Sequence, residues 1–227
     1  MMKIDILTLF PNIFKGPFSE SIIKRAQKRG LVEIKIFNLR DFALDKHKVV
    51  DDKPYGGGAG MVLKVDVVDR ALRKLKKKNS KVILLTPQGK RLNQNLVKKL
   101  SHNNHLILIC GHYEGFDERI RKYLVAEEIS IGDYILTGGE LPAAVLTEAI
   151  IRLIPGVLGK SDSLRKESFS QFNKLTLLEY PQYTRPEKYK NWSVPKILLS
   201  GNHQKIEEWR FQEALKRTKK RRPDLLK

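Results

Sequence analysis

The sequence predicts an α/β fold: a mostly parallel sheet with helices on both faces, followed by a small, mainly helical C-terminal domain. Two observations carry that prediction. Short runs rich in β-branched residues alternate with segments of helical period as far as Leu153, the rhythm of a sheet whose strands are joined by crossover helices. The rhythm stops at Pro155-Gly156, and residues 156–174, with Gly159, Ser161, Ser163, Ser168 and Ser170, read as an exposed linker. The expected division is therefore 1–155, a linker over 156–174, and 175–227.

Taken in order, residues 3–9 (Lys-Ile-Asp-Ile-Leu-Thr-Leu) form a first strand closed by Phe10-Pro11. A helical segment spans 12–29 and ends at Gly30, and residues 32–37 alternate as a second strand should. Residues 40–61 form a long polar loop, and loops of that length inside compact domains are usually functional or disordered. The loop ends in Tyr55-Gly-Gly-Gly-Ala-Gly60, where backbone amides could line a concave surface for a phosphate or a base edge. His47 and Asp51 precede it; a solvated loop histidine is the commoner case, yet a His and a carboxylate there could also grip a base.

From 65 to 77, Val65, Val68, Leu72 and Leu75 recur at helical spacing, with Arg70, Arg73, Lys74 and Lys77 opposite. Residues 81–86 form a strand stopped by Pro87 and turned at Gly89, and 93–100 a short helix. Residues 105–110 (His-Leu-Ile-Leu-Ile-Cys) are too short for an ordinary helix and read as a buried strand. Residues 117–123 allow one or two helical turns, 129–136 return as strand interrupted by Gly132, and 140–153 form a long apolar helix. Beyond the linker lie helical patterns, prolines at 181, 186 and 195, and no convincing strands.

Gly111, Gly115, Gly132, Gly138 and Gly139 follow strand ends. Any one of them could be a tight βα connection; together they mark a crevice, because ligands in open α/β sheets bind at the carboxyl ends of strands. No GxGxxG follows a strand and no GxxxxGK[ST] occurs, so neither a dinucleotide site nor a P-loop is supported.

Composition narrows the partners. A chain of 227 residues with 41% hydrophobic content should bury roughly 70–75% of its unfolded surface. No apolar run is long enough for a membrane span, and Met1-Met-Lys-Ile-Asp does not open a signal peptide. A single cysteine, Cys110, excludes an internal disulfide and reads as a buried small hydrophobe, consistent with a reducing cytoplasm. Lys and Arg number 44 against 25 Asp and Glu, a net charge of +19, which favours a polyanion, nucleic acid ahead of an anionic membrane; a lysine-rich composition bias is the alternative. Residues 160–227 hold 17 Lys and Arg against 8 Asp and Glu, and include Lys216-Arg-Thr-Lys-Lys-Arg-Arg222, a run suited to phosphates.

Longer motifs go further. Phe10-Pro11, Val50-Asp-Asp-Lys-Pro-Tyr-Gly-Gly-Gly-Ala-Gly-Met61, Thr86-Pro-Gln-Gly89, Cys110-Gly-His-Tyr-Glu-Gly115, Ser130-Ile-Gly-Asp-Tyr-Ile-Leu-Thr-Gly-Gly-Glu-Leu-Pro142, Ile154-Pro-Gly-Val-Leu-Gly159 and Leu199-Ser-Gly-Asn-His203 are in register along nearly the whole chain. They resemble the bacterial tRNA (guanine-N1)-methyltransferases, the TrmD family of the SPOUT class. The resemblance implies a deep trefoil knot, which general topology rules treat as exceptional, and a cytoplasmic homodimer. It also implies methyl transfer from S-adenosylmethionine to N1 of guanine 37 of tRNA, just 3′ of the anticodon and preceded by guanine, with a magnesium requirement. Residues 1–155 would then be the S-adenosylmethionine-binding domain and 175–227 a basic tRNA-binding domain.

Matched motif by motif, the resemblance assigns the cofactor pocket to Leu85, Thr86 and Pro87, to Gly111, Tyr113 and Glu114, and to Ile131, Gly132, Asp133, Tyr134, Ile135, Leu136, Gly138, Gly139 and Pro142. Apolar walls and backbone groups suit adenine, and Glu114 suits the cofactor's cationic amino group. His47 and Asp51 match positions that touch the target guanines. Guanine N1 carries a proton, so a base must stand within hydrogen-bonding reach. The resemblance gives that role to Glu167, and gives Arg152 the charge that forms at O6. On the residues alone, Arg152 could merely complement a helix C-terminus and Glu167 could be a solvated linker acid, with Asp162 the nearest other base.

Three departures stand out: Glu167-Ser-Phe169 where Asp-Ser-Phe is usual, Ala59 where proline is common, and about four extra residues over 171–176. A related SPOUT methyltransferase with another target, and a tRNA-binding protein impaired in catalysis, are the alternative readings.

Overall fold

In the computed structural model, which describes residues 1–158, 167–172 and 175–226, the chain divides into two units, Met1–Gly159 and Lys160–Lys227. Gly159, Asp162 and the centre of the 171–176 insertion lie outside the described residues.

The first unit opens with β1 (Met2–Thr8), a 3-10 turn at Pro11–Phe14, α1 (Lys15–Phe18) and α2 (Ser21–Lys28). The single helix expected over 12–29 is thus broken. Ser21 stands at φ +51°, a left-handed conformation that a continuous right-handed helix cannot contain. After β2 (Val32–Asn38), the long loop closes on itself: β3 (Asp51–Asp52) pairs antiparallel with β4 (Val62–Leu63). Next come α3 (Val65–Leu75), β5 (Ser80–Arg91) and α4 (Gln94–Ser101), whose first turn is capped by Asn93 Oδ1 accepting the Leu96 N–H at 2.9 Å. β6 (His105–Cys110), β7 (Glu127–Ser130) and α5 (Glu140–Ile151) complete the unit.

The sheet runs β2-β1-β6-β5-β7, with every neighbouring pair parallel. Alternate side chains serve opposite faces. Ile4, Ile6, Ile83, Leu106 and Leu108 pack with Ile23 of α2, Leu100 of α4, and Leu146 and Ile150 of α5. Leu7, Leu84, Ile107 and Ile109 pack with Val67, Val68, Ala71 and Leu72 of α3. Helices therefore cover both faces, as expected, and the central strand β6 is buried along its whole length.

Two strand ends differ from expectation. β5 does not stop at Pro87 but continues to Arg91, because its register against β7 shifts between Leu85 and Lys90. Pro87, which lacks an N–H, falls inside that bulge, where no ladder hydrogen bond is required of it. β7 ends at Ser130 instead of running to residue 136, since Ser130 Oγ accepts the Gly132 N–H at 3.2 Å and donates to its carbonyl at 2.9 Å, closing a turn. Near the amino ends of the strands, Ser80 Oγ and His105 Nδ1 lie 2.7 Å apart and His105 Nε2 lies 2.9 Å from Asp5 Oδ2, a polar clamp across β5, β6 and β1.

The second unit holds one long helix and, among its described residues, four short strands that sequence periodicity does not reveal. β8 (Ser170–Phe172) pairs with β9 (Leu175–Leu177), β10 (Lys188–Tyr189) pairs with β11 (Trp192–Ser193), and α6 (His203–Arg221) follows. Runs of two or three residues are too short for a period of two to register. β8 lies inside the expected linker, and its Gln171 and Phe172 pair with Thr176 and Leu175 of β9. That hairpin is tied to α6: Phe172 stacks on Phe211 with ring centroids 5.1 Å apart, and Thr218 Oγ1 accepts the Leu178 N–H at 2.9 Å. Among the described residues, no helix is long and apolar enough to cross a membrane.

Candidate active site

β6, β5 and β7 are neighbours, so the segments leaving their carboxyl ends emerge side by side. They wall a cavity of about 300 Å³. Fourteen of the fifteen residues expected to hold a cofactor line it: Leu85, Thr86 and Pro87 after β5; Gly111, Tyr113 and Glu114 after β6; and Ile131, Gly132, Tyr134, Ile135, Leu136, Gly138, Gly139 and Pro142 after β7. Asp133 is the exception, exposed and ion-paired with Arg91 at 3.4 Å.

Main-chain bonds weld these segments together. The Gly139 N–H donates to the Gly111 carbonyl at 2.8 Å. A Cβ at Gly139 would stand 2.7 Å from Cys110 Cα and from Gly111 N, so only glycine permits this approach. α5 starts immediately afterwards, and its first residue, Glu140, is buried with Oε1 accepting from Thr8 Oγ1 at 2.7 Å. The positive end of the helix dipole favours a carboxylate there. Beneath it, burial, with Glu140 as the lesser cause, pushes the Cys110 thiol well above its usual range, which makes it a packing residue and not a nucleophile.

Eight lining residues lay outside the expected set, and three of these are Arg121, His112 and Gln88. Arg121, largely buried, bonds to Glu128 and, at 3.2 Å, to Thr86 Oγ1, bracing the first segment. His112 lies with its ring centroid 4.7 Å from Phe10 and 5.5 Å from Tyr113. Gln88 is the third. The signal for His112 was its place inside the Cys110–Gly115 motif; Arg121 offered none beyond helical spacing.

The glycine-rich loop is brought to the same place. Glu114 N–H donates to Met61 O at 3.1 Å, Leu63 N–H to Gly115 O at 3.0 Å, and Asp117 N–H to Leu63 O at 3.1 Å. A Cβ on Gly60 would run into the Glu114 side chain. Asp51 pairs with Leu63 across β3 and β4, one strand further out, and His47 is exposed in a turn. Asp45 Oδ1 organises that turn by accepting the N–H groups of His47 at 2.9 Å and Val49 at 3.2 Å. Those bonds, Val49's foremost, hold the Asp45 carboxyl below its ordinary range. Neither His47 nor Asp51 lines the cavity.

A family model described as tRNA (Guanine-1)-methyltransferase TrmD matches residues 2–227. The chain belongs to the TrmD family. Among curated relatives named tRNA (guanine-N(1)-)-methyltransferase, that of Dictyoglomus turgidum is 59% identical, the match covering 100% of this chain and 90% of the relative. The relative from Carboxydothermus hydrogenoformans is 56% identical over 100% of this chain and 88% of its own length. That from Staphylococcus epidermidis is 54% identical over 99% and 91%. The TrmD-family motifs at 110–115 and 130–142 are the segments that wall the cavity.

The two residues to which the TrmD resemblance assigns chemistry lie in different units. Arg152 caps the C-terminus of α5, its N–H donating to Glu148 O at 3.2 Å. The cavity adjoins the other end of that helix, and the 13 steps from Gly139 to Arg152 rise about 20 Å. Glu167 belongs to the second unit, where it lines a small cavity of about 40 Å³ with Tyr180, Arg210 and Phe211. Its carbonyl accepts from Ser170 N–H at 3.1 Å and Ser170 Oγ at 2.6 Å. Among the described residues no three His, Cys, Asp or Glu side chains converge on a metal position.

Proposed function

We propose that this TrmD-family chain transfers a methyl group from S-adenosylmethionine to N1 of guanine 37 in tRNAs with a preceding guanine, working as a cytoplasmic homodimer. The observation that carries the reading is the convergence of three separate motif segments on one cavity at the carboxyl ends of adjacent strands.

When bound, S-adenosylmethionine supplies an electrophilic methyl on a sulfonium. Leu85, Ile131 and Leu136 give an adenine ring apolar walls, the glycine backbones offer hydrogen-bonding groups, and the Glu114 carboxylate complements a cationic amino group. Glu167 takes the proton from guanine N1, turning a poor nucleophile into a competent one, and Arg152 stabilises the negative charge that forms at O6. His47 and Asp51 hold the guanines, and the basic second unit holds the tRNA.

The length of α5 supports the dimer. Arg152 stands too far along that helix to reach its own chain's cavity, so a site that needs both draws the arginine from a second copy. α5 also exposes Leu141 and Val145, one turn apart on one face, an apolar surface that a partner would cover. The close clamp of Gly139 on Gly111 supports reading this passage as part of the family's trefoil knot.

The test is incubation with S-adenosylmethionine and an unmodified tRNA carrying two adjacent guanines at that site, followed by nucleoside analysis. 1-Methylguanosine at position 37 is the expected product. A ribose-methylated nucleoside would move the chain to another target, and tight tRNA binding without transfer would make it a binding protein.

A further inference from the structure

The β10–β11 hairpin has no part in the chemistry above, yet it is built in an unusual way. Its two-residue loop, Lys190-Asn191, joins strands in which Tyr189 pairs directly with Trp192. Both rings face solvent: Tyr189 is 55% and Trp192 70% exposed. Their centroids lie 5.9 Å apart. Large aromatic side chains normally bury themselves in a core or against a partner, and two exposed together on a short hairpin are a surface without its counterpart.

Lys190 sharpens the point. It holds φ +54°, a left-handed conformation in which glycine or asparagine would be at home in a hairpin loop. The lysine in that place carries its ammonium over both rings, 5.5 Å from the Tyr189 centroid and 5.9 Å from that of Trp192. Close by in the chain, Lys188 and Arg185 are also exposed, with Glu187 the single acid between them. The hairpin therefore presents π-faces for stacking and cations for a phosphate backbone, the combination with which proteins hold unpaired nucleotides.

We propose that this hairpin is a stacking platform for unpaired bases of the RNA substrate. The inference rests on reading the chain as a tRNA methyltransferase and adds a recognition surface within the second unit. An apolar partner would be met by the rings alone; the cationic surround selects a polyanion.

The test uses the full chain carrying Trp209→Phe, which leaves Trp192 as the only tryptophan. Titration with unmodified tRNA should quench Trp192 fluorescence as a base stacks on it. Trp192→Ala and Tyr189→Ala should each raise the Kd for that tRNA on the order of tenfold, with affinity for S-adenosylmethionine as in the parent. Both side chains are more than half exposed, so truncation removes little packing. Silent fluorescence with unchanged Kd would overturn the platform while leaving methyl transfer intact. A changed sedimentation of the protein alone, with unchanged Kd, would overturn it in favour of a contact between copies. Should the parent transfer no methyl group, the functional reading fails, and quenching by tRNA still decides for or against the platform.

Discussion

Gly139 is the position where one missing atom matters most. A Cβ there would meet Cys110 Cα and Gly111 N at 2.7 Å, both backbone atoms with little freedom to yield. Gly139→Ala should therefore destabilise the fold by about 1–3 kcal/mol and weaken S-adenosylmethionine binding, measured by denaturant titration and by calorimetry. Glu167 lends itself to a kinetic test. Glu167→Gln keeps the shape and removes the proposed proton acceptor, so transfer should fall by roughly 100-fold or more with donor affinity unaltered; equal rates would remove it from the mechanism. Asp45 offers a pH test whose sign is set by its lowered pKa. Its hold on the 45–49 turn is complete above the ordinary carboxylate range and is lost as pH falls through the lowered value. The amide resonances of His47 and Val49 should shift together in that acid window and stay fixed above it.

At the level of elements, what could be read from the chain depended on length. β6, with six consecutive buried residues, and α3, with its three- and four-residue spacing of apolar positions, were legible because their patterns are long enough to register. β3, β8 and β10, of two or three residues each, were not, since pairing partners and not periodicity define them. Pro87 differs for a related reason: locally it signals a stop, but the bulge that absorbs it depends on β7, some forty residues later. The cavity walls were legible residue by residue through the family motifs, whereas Arg121 was not, because its contacts with Thr86 and Glu128 arise only on folding. The β8–β9 hairpin carries its own prediction. Phe172→Ala removes the ring stacked on Phe211 and should destabilise the second unit by about 1 kcal/mol, read as a shift in its thermal transition.

For the molecule as a whole, a net charge of +19 sets the response to salt. The logarithm of tRNA affinity should fall linearly with the logarithm of salt concentration, with a slope of about −0.7 to −0.9 per phosphate contacted; a flat response would deny the basic second unit its role. The proposed site shared between two copies predicts complementation. Mixing inactive Arg152→Ala chains with chains whose cavity is filled by Leu136→Trp should restore about a quarter of the sites, because half the dimers are mixed and each of those holds one intact pair. The placement of Arg152 at the far end of α5 reaches further still. On the proposed roles, a solitary copy would keep its grip on the methyl donor yet lack the cation assigned to Arg152, so turnover per molecule would decline on dilution while donor occupancy stayed level. The helix would thus make catalysis, but not loading, answer to how much of the protein is present.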